Sequence, residues 1–361
     1  MIDAGLPEPQ RAVHIECRHP TGSFVEFDRD ALTRSIPDRF AQQARRYRDR
    51  IAVEVGPQRL SYAALDARAS CVAAAIIATH TPRGTPVAIV LEQGPDFIAA
   101  MLGVLKAGHF YVPLDPTYPV SRLAFMLADS QAALLVTNSR HVRFAEKLVL
   151  AECQLLDIDR LPVDPAPRDL AESIAPDDLA CLIYTSGSTG QPKGVMHTHR
   201  TLLHMTMLAT NALHVCAEDR LVLLYSPSFL AATRAVCLAL CNGAALFPFN
   251  LTERGLAHFA TWLTDHGITI YYSIPTVFRH FMATLRDGTT PLPSVRLVWL
   301  SGESTEHRDI ASYRKHFAEH CVLVHFYGAA EMPGPVLLHF VNKQIRLPAN
   351  SLPLGYDAPG A

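Results

Sequence analysis

An apolar run, LACLI at 179–183, leads directly into YTSGSTGQPKG at 184–194. Thr185, Ser186, Gly187, Ser188, Thr189 and Gly190 are small or hydroxylated, so backbone N–H groups and hydroxyls can converge there on phosphate oxygens. Lys193 adds a point charge to the same turn. The pattern reads as a polyphosphate cradle. It is not a Walker loop, because Pro192 stands where that loop needs glycine before the lysine. It is not a hydrolase elbow either, since Gly187 directly precedes Ser188. A plain flexible linker would share the composition. The order of strand, hydroxyl-glycine turn and lysine favours the cradle.

The elements that must hold this turn alternate between short β-branched runs and longer helical patterns. Strands are expected at Val87–Leu91, Phe110–Pro113, Ala133–Thr137, Cys181–Tyr184, Leu221–Tyr225, Ala244–Phe247, Ile268–Tyr272, Val295–Leu300 and Val322–Phe326. Helix is expected over Tyr62–Thr79, where Leu65, Ala69, Val72 and Ile76 recur on one face. Such alternation implies an α/β fold with two αβα-layered subdomains and mostly parallel sheets. The prolines and carboxylates of 157–176 read as a linker, which separates a first subdomain at 35–160 from a second at 177–330. Residues 1–34 show little periodicity and read as a loosely held leader.

Composition narrows the class. The 361 residues are 49% hydrophobic and 18% charged, with 32 basic against 34 acidic side chains. That balance excludes intrinsic disorder and a broad polycationic nucleic-acid surface. Eight cysteines lack Cys-x-x-Cys spacing, so reduced thiols and a cytoplasmic setting are expected. The N-terminus has no signal-peptide pattern, and the uncharged stretch at 235–252 is broken by Asn242, Gly243 and Pro248, so no membrane span is expected. His197-x-His199 has no third metal ligand in view, so no metal site is expected there, and core packing accounts for the helically spaced Cys237 and Cys241.

Taken with LSYAALDARASCVAAAI at 60–76, KAGHFYVPLDPTYPVSRLAFMLADS at 106–130, SGES at 301–304 and FYGAAE at 326–331, the chain resembles the adenylate-forming superfamily. The similarity is greatest to nonribosomal peptide synthetase adenylation domains and runs from about Ser35 to the C-terminus. It implies ATP and Mg2+ as cofactors and a small carboxylic acid as substrate, activated as acyl-AMP and passed to a phosphopantetheine carrier or CoA. By the resemblance, Thr185 to Gly190 with Lys193 would hold the β- and γ-phosphates. Gly302, Glu303 and Ser304 would wall the adenine, Tyr327 and Gly328 would lie against it, and Glu331 would bind the magnesium. The acyl pocket would be lined by Phe229, Leu230, Ala231, Arg234, Tyr272, Trp299, Ser301, Phe326, Gly334 and Pro335.

Four departures from the resemblance carry chemistry. Ala330 stands where a threonine would donate to the α-phosphate, and loss of one such donor costs roughly 3 kcal/mol. His325 replaces an asparagine that faces adenine. Leu230 stands where an aspartate would meet the substrate ammonium, which points to an acid without a free α-amino group, because an ammonium buried against leucine is unpaired. Residues 331–361 resemble only the start of a barrel-like subdomain, so the small C-terminal subdomain with its catalytic lysine is expected from a partner chain or not at all. Weak or absent activity of this chain alone follows. The alternatives are an acyl- or aryl-CoA ligase relative, and a non-catalytic nucleotide-binding protein or interaction module.

Overall fold

A computed structural model describes residues 6–149, 153–162, 174–186, 191–285, 292–332, 337–347 and 352–357. Each strand expected from the sequence forms within two residues of its expected ends, and the expected helix runs Tyr62–Ala78. The chain divides into two compact units. One holds Arg29–Leu203 and Tyr225–Cys237, and the other holds Met1–Asp28, His204–Leu224 and Leu238–Ala361.

The first unit contains a hairpin, β1 (Ile51–Val55) and β2 (Gln58–Ser61), and a six-stranded sheet. The sheet is made of β3 (Pro86–Ile89), β4 (Phe110–Pro113), β5 (Leu134–Thr137), β6 (Gln154–Asp157), β7 (Leu179–Ser186) and β8 (Pro192–Thr198), in the order β6-β5-β3-β4-β7-β8. All neighbours run parallel except β7 and β8, which are antiparallel. Residues on both sides of the proline-rich stretch therefore share one sheet, through the pairing of Tyr111 with Cys181. β4 and β5 are buried along their whole length, as strands covered on both faces must be. Ser35 opens the Ile36–Arg46 helix with a capping box: its hydroxyl accepts from the Asp38 N–H, and the Asp38 carboxylate accepts from the Ser35 N–H.

The second unit is built on β9 (Arg220–Leu223), β10 (Ala245–Pro248), β11 (Ile270–Ser273), β12 (Leu297–Ser301), β13 (Val322–Tyr327), β14 (Leu337–Val341) and β15 (Tyr356–Asp357). β10, β9, β11, β12 and β13 are parallel in that order, and β14 and β15 add antiparallel to β13. The expected beginning of a barrel is thus a continuation of this sheet, and no closed barrel occurs among the described residues. The leader is tied down over its described part by two amide side chains. Gln10, on the Glu8–Glu16 helix, donates to the Phe340 carbonyl and accepts from the Phe340 N–H, standing in for a neighbouring strand. Asn211 makes the same paired exchange with the backbone of Phe27. Each pairing satisfies two backbone groups that would otherwise be buried without partners.

The same unit holds a buried ion pair. Arg296 reaches Asp219 through Nε at 2.8 Å and Nη2 at 2.6 Å, and its remaining donors go to the carbonyls of Leu213, His214 and Cys17. Asp219 also accepts from Thr269 Oγ1 and the Cys216 N–H. The eight cysteines form no disulfide. No helix of the described residues is long and apolar enough to cross a membrane.

Candidate functional site

The phosphate turn closes a hairpin. Tyr184 pairs with Gly194, Thr185 with Lys193 and Ser186 with Pro192, so Lys193 stands on a strand. Gly187, Ser188, Thr189 and Gly190 lie outside the described residues, as do Gly334 and Pro335 of the acyl set. Tyr184 anchors the base of the hairpin in the core of its unit, where its hydroxyl donates to Asp129 Oδ2 at 2.7 Å. A side chain at Gly194 would collide with Leu182, since a Cβ there would lie 2.7 Å from Leu182 Cδ1. Glycine lets the strand lie flat against that leucine. Lys193 is exposed and so presents its ammonium to solvent-borne anions.

The adenine set comes together in the second unit, at the C-terminal ends of β12 and β13, where ligands of parallel α/β sheets bind. Gly302, Glu303, Ser304 and Thr305 face His325, Phe326, Tyr327 and Gly328 across a cavity of about 260 Å³, with Leu352 and Leu354 completing the wall. Gly302 turns at φ +86°, a conformation that favours glycine. Tyr327 is 49% exposed and offers a ring face at the cavity. Glu303 has a structural partner: its carboxylate accepts from the Thr276 N–H at 2.9 Å and the Thr276 hydroxyl at 2.6 Å. The Pro275–Thr284 helix has no cap from its own N-cap residue, and Glu303 supplies one from across the fold. Arg279 on that helix holds the Ser304 carbonyl at 3.0 Å, which fixes the same loop a second time.

His325 is buried, with Nδ1 2.8 Å from Thr305 Oγ1, and it pairs in register with His339 on β14. Burial pulls the pKa of His325 down; burial, with repulsion from His325, takes His339 to about 4. Both rings are neutral near pH 7.

The acyl set falls partly in each unit. In the second, Tyr272 stacks on Trp299 with centroids 4.1 Å apart, Trp299 meets Phe326 edge-on at 5.7 Å, and Ser301 Oγ lies 3.3 Å from the Tyr272 hydroxyl. All four are buried on adjacent parallel strands. In the first unit, the Leu230–Leu240 helix buries Leu230 and Arg234, leaves Ala231 partly open, and follows Phe229, which is 54% exposed. Arg234 therefore lies in the protein interior with interactions of its own.

Sequence reasoning missed the residues that aim this segment. The Asp115 carboxylate accepts from Ser226 Oγ and from both the N–H and hydroxyl of Thr117, while the Asp115 N–H donates to Ser228 Oγ. Tyr111 and Thr233 join hydroxyls at 2.7 Å inside the same unit. The signal was available in PLDPTYP at 113–119 and SPS at 226–228, whose short polar side chains favour such turns.

Residues 40–360 match the AMP-binding enzyme family. The chain belongs to that family. Over 331 residues it is 31% identical to the dimodular nonribosomal peptide synthase of Bacillus subtilis (strain 168), covering 88% of this chain and 14% of that one. A crystal structure of the nonribosomal peptide synthetase FmoA3 in its AMPPNP-bound form superposes with TM-score 0.80 at 26% identity, covering 98% of this chain and 37% of that chain. The N-terminal subdomain of Klebsiella oxytoca NpsA, in complex with 3-hydroxybenzoyl-AMSN, superposes at TM-score 0.78 and 22% identity over 91% of this chain and 80% of its own. Thus the AMP-binding chain spans about a seventh of the dimodular synthase and over a third of the FmoA3 chain. Among its described residues no cluster of three or more His, Cys, Asp or Glu could cage a metal ion. Glu331 is an exposed single carboxylate shortly after the cavity-lining Tyr327 and Gly328, which fits Mg2+, an ion usually held by one or two carboxylates together with substrate phosphates and water.

Proposed function

We propose that this chain carries the ATP- and acid-binding portion of a nonribosomal-peptide-type adenylating ligase. The observation that carries the reading is the cavity in which Gly302–Thr305, from the loop after β12, and His325–Gly328, from the end of β13, face one another. Tyr327, Gly328 and the 302–304 wall take the base, and Thr185, Ser186 and Lys193 take the terminal phosphates with the rest of the turn at 187–190. A carboxylate oxygen of the acid attacks the α-phosphorus, the bond from that phosphorus to the α,β-bridging oxygen breaks with its electron pair on the departing pyrophosphate, and acyl-AMP remains. A phosphopantetheine or CoA thiol then takes the acyl group and releases AMP. Glu331 would hold the Mg2+, which supplies charge neutralisation to the phosphates when bound.

The acid is small or flat and lacks a free α-amino group. Leu230 is buried and offers no counter-charge to an ammonium, and the packed rings of Tyr272, Trp299 and Phe326 leave little room for a large side chain.

ATP–pyrophosphate exchange over a panel of carboxylic acids, with and without an added C-terminal subdomain, tests the reading. Exchange restored by that subdomain with hydroxy, keto or aryl acids is expected. Preference for ordinary α-amino acids would refute the assignment of the acid, and ATP binding with no exchange under either condition would identify a non-catalytic nucleotide-binding protein.

A further inference from the structure

Beside the phosphate hairpin lies a cavity of about 280 Å³ lined by Ser121, Arg122 and Phe125 of the Val120–Ser130 helix and by Ser186, Gln191 and Pro192 from the two ends of the turn. Its lining contains a cation, hydroxyls and an amide, and no carboxylate. Arg122 is held in place without being neutralised. Its guanidinium sits 4.7 Å from the Tyr118 ring centroid, and its Nε is buried with no hydrogen-bond partner. Among the described residues no carboxylate pairs with it, whereas Arg68, Arg140, Arg200, Arg279 and Arg296 each meet one. A planar fork of donors, fixed on an aromatic face and left unfilled, suits a phosphate oxyanion better than any neutral group. The cavity adjoins the described ends of the phosphate hairpin: Ser186 and Pro192 are paired across it, one step from Thr185 and Lys193.

We infer that Arg122 is a ligand for the terminal phosphates of ATP and for the pyrophosphate they become. Lys193 and Arg122 then approach the polyphosphate from the strand and the helix, and Arg122 offsets the charge that pyrophosphate gains when it leaves with the bonding electron pair. This rests on the adenylating reading given above.

Equilibrium titration of the full chain with ATP plus Mg2+, with inorganic pyrophosphate and with AMP tests it. Arg122→Gln is expected to weaken ATP and pyrophosphate by about tenfold or more, the scale of a lost charge-assisted hydrogen bond, and to leave AMP within about twofold. Arg122→Lys keeps the charge without the fork and should fall between the two. Unchanged ATP and pyrophosphate affinity in Arg122→Gln overturns the inference while leaving the adenylating reading intact. An equal loss for AMP overturns it too, because it marks a purely structural role. A wild-type chain that binds none of the three removes the adenylating reading and this inference together.

Discussion

Asp219→Asn exposes what the buried ion pair contributes. The substitution keeps the shape and two acceptor contacts but removes the charge facing Arg296, whose side chain is 3% exposed. Two unit charges at about 4 Å and an effective dielectric near 20 interact by about 4 kcal/mol, and breaking one partner of a buried pair costs about 3–5 kcal/mol. The pair ties the leader at Cys17, the helix end at Leu213 and His214, and the start of β12 into one network, so the loss should fall on cooperative unfolding of the second unit. Urea denaturation followed by far-UV circular dichroism measures it. A volume-matched double replacement, Asp219→Leu with Arg296→Met, should be less destabilised than either single change, because no orphaned charge remains. The pH profile gives a second check. Burial alone would raise the Asp219 carboxyl, but the charge and hydrogen bonds of Arg296, with those of Cys216 and Thr269, hold it below the ordinary 3.8. Its contribution is present above that value and fades as the pH falls through the folded-state value. A loss below about 1 kcal/mol for Asp219→Asn would refute the reasoning, since a penalty of several kcal/mol requires the charge to be dry.

Other outcomes follow from the site. His339 takes up its proton near pH 4 when folded, against 6.5 ordinarily, so the unfolded chain binds more protons between those values and stability falls as pH drops from 6.5 to 4. His339→Phe should flatten that decline in pH-dependent melts, and an unchanged slope would place the effect elsewhere. His199 behaves alike in the other unit, where burial takes it to about 4 against the opposing pull of Asp178 and Asp38. Glu303→Ala removes the cap on Thr276 and should cost about 1 kcal/mol in thermal unfolding while weakening AMP in titration, because the 302–305 loop loses an anchor. Loss of stability with AMP affinity untouched would separate the cap from the pocket.

Periodicity and local chemistry determined much of this protein. Short apolar runs such as FYVP at 110–113, alternating with helical patterns, fit parallel strands covered on both faces, so alternation alone marked the strands and the α/β class. The hydroxyl-glycine turn, the SGES segment and FYGAAE were visible as strings because their chemistry is written in consecutive residues. β8 was not, since PKGVMHT contains proline, glycine and polar residues and forms a strand only through pairing with β7. Tertiary structure alone decided how distant polar groups were spent: Gln10 on the backbone of Phe340, Glu303 on the helix at Thr276, Asp115 on Ser226, Arg296 on Asp219. Each partner lies far away in sequence, and the choice follows from which backbone or charge is left unsatisfied once the sheets have closed over it.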